Sequence, residues 1–194
     1  VWGLLEKFAP AFLAGVPTLA KPATPTAHVA EALVRTMLES GLLPEGSLQL
    51  LVGSVGDLFD ALDHRDSVFF TGSKATADRL RRHPAFLERG ALFNAEADSL
   101  NPAILGEKAT EEELSRLAQE IAQELVIKTG QRCTAIRRVF APKDRLEALL
   151  KATQKRLEAL RLGDPREEGV GLGPLASLGQ KGEVEKAVAA LLAA

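Results

Sequence analysis

The sequence predicts an α/β protein whose strands form a parallel sheet. Short apolar runs at residues 16–20, 48–52 and 67–71 have the length of buried strands, and each is followed by a turn and a helical pattern. This repeated order of strand, turn and helix is typical of a parallel sheet with helices on both faces. In such a sheet, ligands bind beyond the carboxyl ends of the strands, where the chain turns into the next helix.

Helical periodicity marks the helices of the first half. Apolar residues recur at helical spacing over 2–13, and Gly15 stands where a C-terminal glycine cap belongs. A second helix is predicted over 26–40, and shorter helices over 57–62 and 75–82. We expect the inner side of the second helix to consist of large apolar residues, namely Val29, Leu33, Met37 and Leu38.

The second half begins with a charged stretch at 84–90 that resembles a linker. Strands are predicted over 91–95, 103–105 and 138–141, and residues 96–102 are interpreted as a polar turn. Thr110 begins a capping box, the sequence signature that opens a helix. The helix that follows ends at Gly130, and its predicted inner stripe is Leu114, Leu117, Ile121 and Leu125.

Two further helices are predicted towards the end, over 144–160 and from about Gly179. Residues 162–165 and 171–175 between them are predicted loops. The inward side of the first of these helices is predicted to carry Leu146, Leu149, Leu150, Leu157 and Leu160.

Composition excludes several classes of function. The net charge of −2 and the pI of about 6.0 give no basic surface for nucleic acid or an anionic membrane. The early apolar run 8–20 is interrupted by prolines and a glycine, and it is shorter than the roughly 20 residues of a membrane-spanning helix. We therefore expect neither nucleic acid nor a membrane among the partners.

Cys133 is the only cysteine in 194 residues, which excludes an internal disulfide framework and a cysteine-rich zinc site. A reducing compartment, the cytoplasm, is the expected location. Cys133 lies in a polar loop beside Gly130, as a nucleophile would, but many single cysteines are inert, and spacing alone leaves both interpretations open. The chain starts at Val1 without methionine, inside a helical pattern, so we expect a piece of a longer protein.

Three turns fall at the predicted carboxyl edge of the sheet. Each combines residues suited to phosphate binding, but no GxGxxG pattern occurs, and from the residues alone plain turns are the favoured interpretation. The three turns are Lys21-Pro22-Ala23-Thr24, Gly53-Ser54-Val55-Gly56 and Thr71-Gly72-Ser73.

Six stretches, in order and covering nearly the whole chain, resemble the aldehyde dehydrogenase superfamily. They are Lys21-Pro22-Ala23, Leu43-Pro44-Glu45-Gly46, Phe69-Phe70-Thr71-Gly72-Ser73, Glu96 with Asn101-Pro102, Gly130-Gln131-Arg132-Cys133 and Gly171-Leu172-Gly173-Pro174-Leu175. The resemblance implies that residues 1–90 are the later half of a Rossmann-like NAD(P)-binding domain and residues 91–194 the first part of the α/β catalytic domain. It also implies a homodimer or homotetramer.

The run that begins at Glu96 departs from the Glu-Leu-Gly-Gly-Lys pattern common in the family. It reads Glu96-Ala97-Asp98-Ser99-Leu100-Asn101. This variant resembles the PaaZ-like branch, which acts on ring-opened CoA-thioester semialdehydes in phenylacetate and benzoate breakdown. The resemblance thus implies a small aldehyde substrate, and CoA-linked aldehydes are among the candidates.

The family's chemistry assigns roles to two residues. Cys133 matches the nucleophile that forms a thiohemiacetal and then a thioester, and Glu96 matches the base that activates water for hydrolysis. Arg132 could favour the thiolate or point to solvent. The family's second oxyanion donor, an asparagine side chain, is expected just upstream of Val1.

The cofactor residues also follow from the resemblance. Lys21 matches the lysine that holds the adenosine ribose or a 2′-phosphate, and neutral Thr24 replaces a frequent glutamate, so NADP is expected to be preferred over NAD. The remaining matching positions are Pro22, Ala23, Gly53, Gly56, Phe70, Thr71, Gly72 and Ser73.

Three alternatives remain. A dinucleotide-binding module without catalysis is opposed for the parent protein by the presence of both Cys133 and Glu96. It stays open for this chain in isolation, which is expected to be inactive without the upstream asparagine and the family's downstream glutamate that holds the nicotinamide ribose. A purely structural domain is opposed by the combined motifs. A CoA-acylating aldehyde dehydrogenase is opposed by Glu96, since such members often lack the base.

Overall fold

The computed structural model describes residues 2–193 and divides the chain into two compact units, Val1–Asp98 and Ser99–Ala194. Val1 and Ala194, which bound the predicted domains 1–90 and 91–194, lie outside the described residues. The assignment of the two halves to a cofactor and a catalytic domain stays a prediction. Within residues 2–193, no helix has the length and apolar character needed to cross a membrane.

The first unit alternates helices with short strands. Its elements are α1 (Trp2–Leu13), β1 (Thr18–Ala20), α2 (Ala27–Glu39), β2 (Leu48–Leu50), β3 (Ser67–Gly72), α3 (Lys74–Arg81), α4 (Pro84–Leu87) and β4 (Leu92–Ala97). β1 pairs with β2 and β3 with β4, and both ladders are parallel. Phe8, Val34 and Leu48 form the core beside the first ladder, so α1 and α2 pack on that ladder.

The second unit also alternates short strands with helices. Its elements are β5 (Pro102–Ile104), α5 (Glu111–Val126), β6 (Arg138–Phe140), α6 (Leu146–Glu158), β7 (Arg161–Leu162), β8 (Val170–Leu172) and α7 (Leu178–Leu192). β5 pairs with β6 and β7 with β8, again in parallel. Leu114 and Ile121 of α5 pack against Leu149 of α6 in the core. The predicted α/β fold with parallel strands is confirmed.

Several local predictions were wrong. Residues 84–90 contain the short helix α4, and the predicted loops at 162–165 and 171–175 overlap β7 and β8. Glu96 belongs to β4 and lies outside the turn that was predicted for it. The six residues of β4 pair continuously with β3, and this ladder holds Glu96 in a strand.

The buried faces of helices α2, α5 and α6 carry smaller side chains than predicted. α2 buries Ala27, Ala30 and Val34, whereas Val29 and Leu38 are exposed. α5 buries Ala118 and Ala122 beside two of the predicted residues, and α6 buries Leu149 and Thr153. The error has a physical cause, because the predictions gave weight to large apolar side chains, while alanines allow the closest approach of a helix to its neighbour.

The capping box at the start of α5 is present. The Thr110 hydroxyl accepts from the Glu113 N–H at 3.2 Å, and the Glu113 carboxylate accepts from the Thr110 N–H at 2.7 Å. The backbone and hydroxyl of Thr110 lower the pKa of Glu113 below its usual value of 4.5. A carboxyl group whose pKa is lowered by folding stabilises the fold above its unfolded pKa, and this contribution disappears as the pH falls through the folded value.

Thr110→Ala should lower the opening free energy of the first turn of α5 by about 1 kcal/mol, since an N-cap acceptor is lost. Hydrogen exchange of the full-length protein, followed by mass spectrometry, measures this opening. Glu113→Gln is the companion variant. At neutral pH the opening free energy of the natural protein should exceed that of this variant, and the difference should shrink below pH 4.5. Equal exchange in Thr110→Ala and the natural protein would show that the cap contributes nothing.

Candidate active site

Cys133 is exposed in a β-turn between α5 and β6. The turn is closed by the Ala135 N–H, which donates to the Arg132 carbonyl at 3.2 Å. Cys133 is therefore the second residue of the turn, a position whose N–H does not take part in the closing bond. Ala135 is fully buried and fixes the turn to its unit, so the thiol is presented on an anchored loop.

The backbone that leads to the turn is strained. Lys128 and Thr129 have φ values of 52° and 56°, and Gly130 follows with a φ of 68°. A left-handed conformation is rare for any non-glycine residue and especially unfavourable for a β-branched one such as Thr129. Its persistence requires bonds from the surroundings.

The segment after β8 supplies such bonds. The Thr129 hydroxyl lies 3.2 Å from the Gly173 carbonyl oxygen and 3.4 Å from that of Pro174, to which it can donate. The Gln131 side-chain oxygen accepts from the Ala176 N–H at 3.0 Å. The 171–175 motif thus lies against the cysteine loop and supports it.

Two side chains hold the carbonyl groups of the cysteine turn. Asn101 Nδ2 donates to the carbonyls of Cys133 at 2.7 Å and Ala135 at 3.1 Å. Arg137 Nη2 donates to the carbonyls of Gly130 at 3.0 Å and Arg132 at 3.1 Å. The loop is therefore held from both of its ends.

Arg132 was considered as a group that could favour the Cys133 thiolate, but its side chain is bonded to α5. Its guanidinium donates to the Glu124 carboxylate on α5 at 3.1 Å, and the two side chains are only 37% and 21% exposed. The positive charge is paired with this carboxylate, so Arg132 acts as a tie between the cysteine loop and α5.

Glu96 lies near the carboxyl end of β4. It is paired in register with Thr71 of β3, and Ala97 is paired with Gly72, so the base candidate adjoins a predicted cofactor turn. Lys7 of α1 approaches the Glu96 carboxylate to 3.5 Å, and that side chain is 51% exposed. A carboxylate in this position has access to solvent and a cationic neighbour, which lies equally close to the carboxylate of Glu6.

Lys21 follows the carboxyl end of β1. Its ammonium group donates to the Pro22 carbonyl at 3.1 Å, and the side chain is exposed. Ala23 precedes a short 3₁₀ turn that begins at the exposed residue Thr24. Beyond β2, Gly53 and Gly56 have φ values of 109° and 54°, which only glycine adopts without strain.

The turn after β3 is built closely around an aromatic ring. A Cβ at Gly72 would lie 2.5 Å from the Phe70 ring, so a larger residue does not fit there without a shift. Ser73 caps α3 by accepting from the Thr76 N–H at 3.3 Å. The neighbouring Lys74 ammonium hydrogen-bonds to Asp78, which lowers the pKa of that carboxyl.

A shallow cavity of about 450 Å³ lies between residues 55–60 and the end of α3. Of the predicted cofactor residues, only Gly56 lines it. The structure therefore brings Glu96 next to Thr71 and Gly72 on the β3–β4 ladder, while Lys21, Thr24 and the glycine turn follow the strands of the β1–β2 ladder in the same unit. Cys133 belongs to the second unit.

Sequence reasoning missed the supporting residues. Asn101 and Arg137 hold the cysteine turn, and Lys7 pairs with Glu96, yet none of them was assigned a role. For Asn101 there was a sequence signal, because the residue before a proline favours an extended backbone and Asn101 directly precedes Pro102, the first residue of β5.

The fold is that of an α/β protein with parallel strands. Turns that contain glycine follow these strands, an arrangement that also occurs in dinucleotide-binding proteins. Residues 3–194 match the aldehyde dehydrogenase family, and the chain belongs to this family.

Relatives agree with that assignment. The chain is 46% identical to 3,4-dehydroadipyl-CoA semialdehyde dehydrogenase of Aromatoleum evansii over 98% of its length, and this stretch is 37% of the relative. It is 32% identical to alpha-ketoglutaric semialdehyde dehydrogenase of Bacillus subtilis (strain 168), covering 90% of the chain and 35% of the relative. The chain thus spans little more than a third of these relatives. The predicted resemblance to enzymes of CoA-linked semialdehydes is confirmed.

A solved structure gives the same result for the fold. The aldehyde dehydrogenase KauB from Pseudomonas aeruginosa superposes with a TM-score of 0.78 at 25% identity, over 90% of this chain and 35% of that protein. The predicted aldehyde dehydrogenase-like fold is confirmed.

Thr129→Val keeps the shape of the side chain and removes the hydroxyl that approaches the Gly173 and Pro174 carbonyls. We expect the strained turn to open more readily by about 1 kcal/mol, the usual net value of such a hydrogen bond. Hydrogen exchange at residues 127–135 of the full-length protein measures the opening. Thr129→Ser is the matched control and should exchange almost as the natural protein does; faster exchange in the serine variant alone would contradict the role of the hydroxyl.

Proposed function

We propose that the protein oxidises an aldehyde to the carboxylic acid with NAD(P), and that Cys133 is the nucleophile. The observation that carries the proposal is the exposed Cys133 in an anchored β-turn of an aldehyde dehydrogenase chain. Among residues 2–193, no backbone or side-chain acceptor is bonded to the Cys133 N–H. That N–H is therefore available to a substrate oxygen.

In the first step the Cys133 thiolate attacks the aldehyde carbon. A carbon–sulfur bond forms, and the carbonyl electron pair moves onto the oxygen, which gives the thiohemiacetal oxyanion. The Cys133 N–H is placed to donate to this oxygen, as a donor that needs no rearrangement during the reaction.

The residues of the first unit fit a dinucleotide. Lys21 supplies a cation for the ribose hydroxyls or a phosphate, and the N-terminus of α3 with Ser73 supplies donors for the phosphates. Gly72 permits a close approach of the backbone beside Phe70. A nicotinamide held by these residues would supply the acceptor for the hydride of the thiohemiacetal carbon, and Cys133 would then carry an acyl thioester.

Glu96 completes the reaction as the general base. Its half-exposed carboxylate takes a proton from water, which adds to the thioester carbon. The carbon–sulfur bond then breaks, Cys133 leaves as the thiolate and the acid is released. Lys7, 3.5 Å from the carboxylate, is the group that orients it.

The substrate we propose is a semialdehyde linked to CoA through a thioester. The 46% identity with an enzyme named for such a substrate supports this choice, as does the run from Glu96 to Asn101. We further propose that the first unit is the later part of the cofactor domain, that the second begins the catalytic domain, and that the enzyme is a homodimer or homotetramer.

Cys133→Ala should abolish NAD(P)H formation in the full-length protein, whereas Glu96→Gln should give one burst of NAD(P)H followed by a steady rate lowered about 100-fold or more. Stopped-flow absorbance with a CoA-linked semialdehyde measures both phases. Asp98→Asn, two residues from Glu96, controls for the loss of charge and should keep its steady rate. Undiminished steady turnover of Glu96→Gln would remove Glu96 from the role of base, and an acyl-CoA product would favour the acylating reaction.

The cofactor preference that we propose is for NADP, because Thr24 places no carboxylate beside the ribose. Thr24→Glu should lower kcat/KM for NADP on the order of ten-fold, since two like charges near a protein surface repel by about 1–4 kcal/mol. Thr26→Glu adds the same charge two residues away and serves as the control. A natural protein that turns over NAD faster than NADP at equal concentration would contradict the preference.

A further inference from the structure

Cys133 lies between two peptide groups, and each of their carbonyls accepts a hydrogen bond from a side chain. Arg137 Nη2 donates to the Arg132 carbonyl at 3.1 Å, on the N-terminal side of the cysteine. Asn101 Nδ2 donates to the Cys133 carbonyl at 2.7 Å, on the C-terminal side. Both planes that meet at the Cys133 Cα are therefore fixed by donors from outside the turn.

The first peptide group contains the N–H that would stabilise the oxyanion. The Arg132 carbonyl is held by two donors, the Ala135 N–H at 3.2 Å and the Arg137 guanidinium. A trans peptide is planar, and its C=O and N–H point in opposite directions. Fixing the Arg132 carbonyl on one side therefore aims the Cys133 N–H to the other.

The second peptide group determines where the thiol points. Asn101 Nδ2 has two N–H donors, and these reach the carbonyls of Cys133 and Ala135. The Asn101 carbonyl in turn accepts from the Arg137 N–H at 2.9 Å. With both neighbouring peptide planes held, the backbone angles of Cys133, and hence the direction of its Cα–Cβ bond, are restricted.

We propose that Asn101 and Arg137 are positioning residues that preset the two reactive groups of Cys133. Arg137 aims the N–H at the oxyanion, and Asn101 aims the thiol at the aldehyde carbon. The proposal rests on the assignment of Cys133 as the nucleophile. Neither side chain touches the substrate in this scheme, because both act through carbonyls of the turn.

Two reactions of the same thiol separate positioning from plain structural support. Addition to an aldehyde develops an oxyanion and needs the N–H, whereas alkylation by iodoacetamide displaces iodide from a saturated carbon and forms no oxyanion. A variant that only misdirects the N–H slows the first reaction and spares the second. A variant that misdirects the thiol slows both. A variant that loosens the whole turn slows the first and speeds the alkylation, because the freed thiol is more accessible to a small reagent.

The experiment compares Arg137→Met, Arg137→Lys and Asn101→Leu in the full-length protein, with Arg138→Met as the control. The adjacent Arg138 carries the same charge, and within residues 2–193 its side chain makes no hydrogen bond or ion pair. Each variant is measured for the rate of the NAD(P)H burst, the KM for the aldehyde and the rate of Cys133 alkylation.

Arg137→Met should slow the burst about 10- to 100-fold, the range that small misplacement of reacting groups produces. Its KM and its alkylation rate should stay as in the natural protein, and Arg137→Lys should recover part of the burst. Asn101→Leu should slow both the burst and the alkylation. Arg138→Met should change neither.

Normal bursts in Arg137→Met and Asn101→Leu would overturn the inference. Equal slowing of burst and alkylation in Arg137→Met would also overturn it, since that pattern denotes a misdirected thiol and not a misdirected N–H. Faster alkylation in Asn101→Leu would overturn it as well, since that result denotes a loosened turn. A burst that survives in Cys133→Ala would instead overturn the assignment of the nucleophile. Loss of the burst in Cys133→Ala, together with normal bursts in the other variants, leaves that assignment intact and removes only the positioning roles.

Discussion

The constraint on which the candidate site depends is the shape of one β-turn, because that turn carries both the thiol and the N–H of Cys133. A turn on the surface of a protein is usually mobile, whereas the proposed reaction requires the thiol and the N–H to meet one carbonyl group in a fixed geometry. Ala135 ties the turn to the interior, while Asn101 and Arg137 hold its carbonyls. Polar side chains of the second unit thus hold this loop in place.

Strained backbone also occurs close to the two candidate catalytic residues. Among residues 2–193, the non-glycine residues in the left-handed region are Asp98, Lys128 and Thr129. Asp98 follows Glu96 by two residues, and the other two precede Cys133 in the same loop. Strained residues persist where the surroundings determine them, and they concentrate at functional sites. Both residues that the family resemblance singles out therefore stand beside unusual backbone, one at the end of a strand and the other in a turn.

Periodicity and glycine positions sufficed to predict the parallel α/β fold, most helices and the capping box, because these depend on neighbours along the chain. Glu96 was misplaced in a turn, since its strand is held by pairing with β3 and not by its own composition. The residues that support Cys133 could not be predicted for a similar reason, because their contacts are not determined by neighbours along the chain. Asn101 and Cys133 are 32 residues apart, and sequence offers no means to distinguish Arg137, which holds the turn, from Arg138, which does not.

The central claim is that Cys133 carries the acyl group during turnover. The most direct measurement mixes the Glu96→Gln protein with NAD(P) and a CoA-linked semialdehyde, quenches the mixture in acid and maps the peptides by mass spectrometry. The account predicts that the peptide containing Cys133 gains the mass of the acyl group in proportion to the NAD(P)H formed. NAD(P)H formation with an unmodified Cys133 peptide, or with the acyl group on another residue, would contradict it.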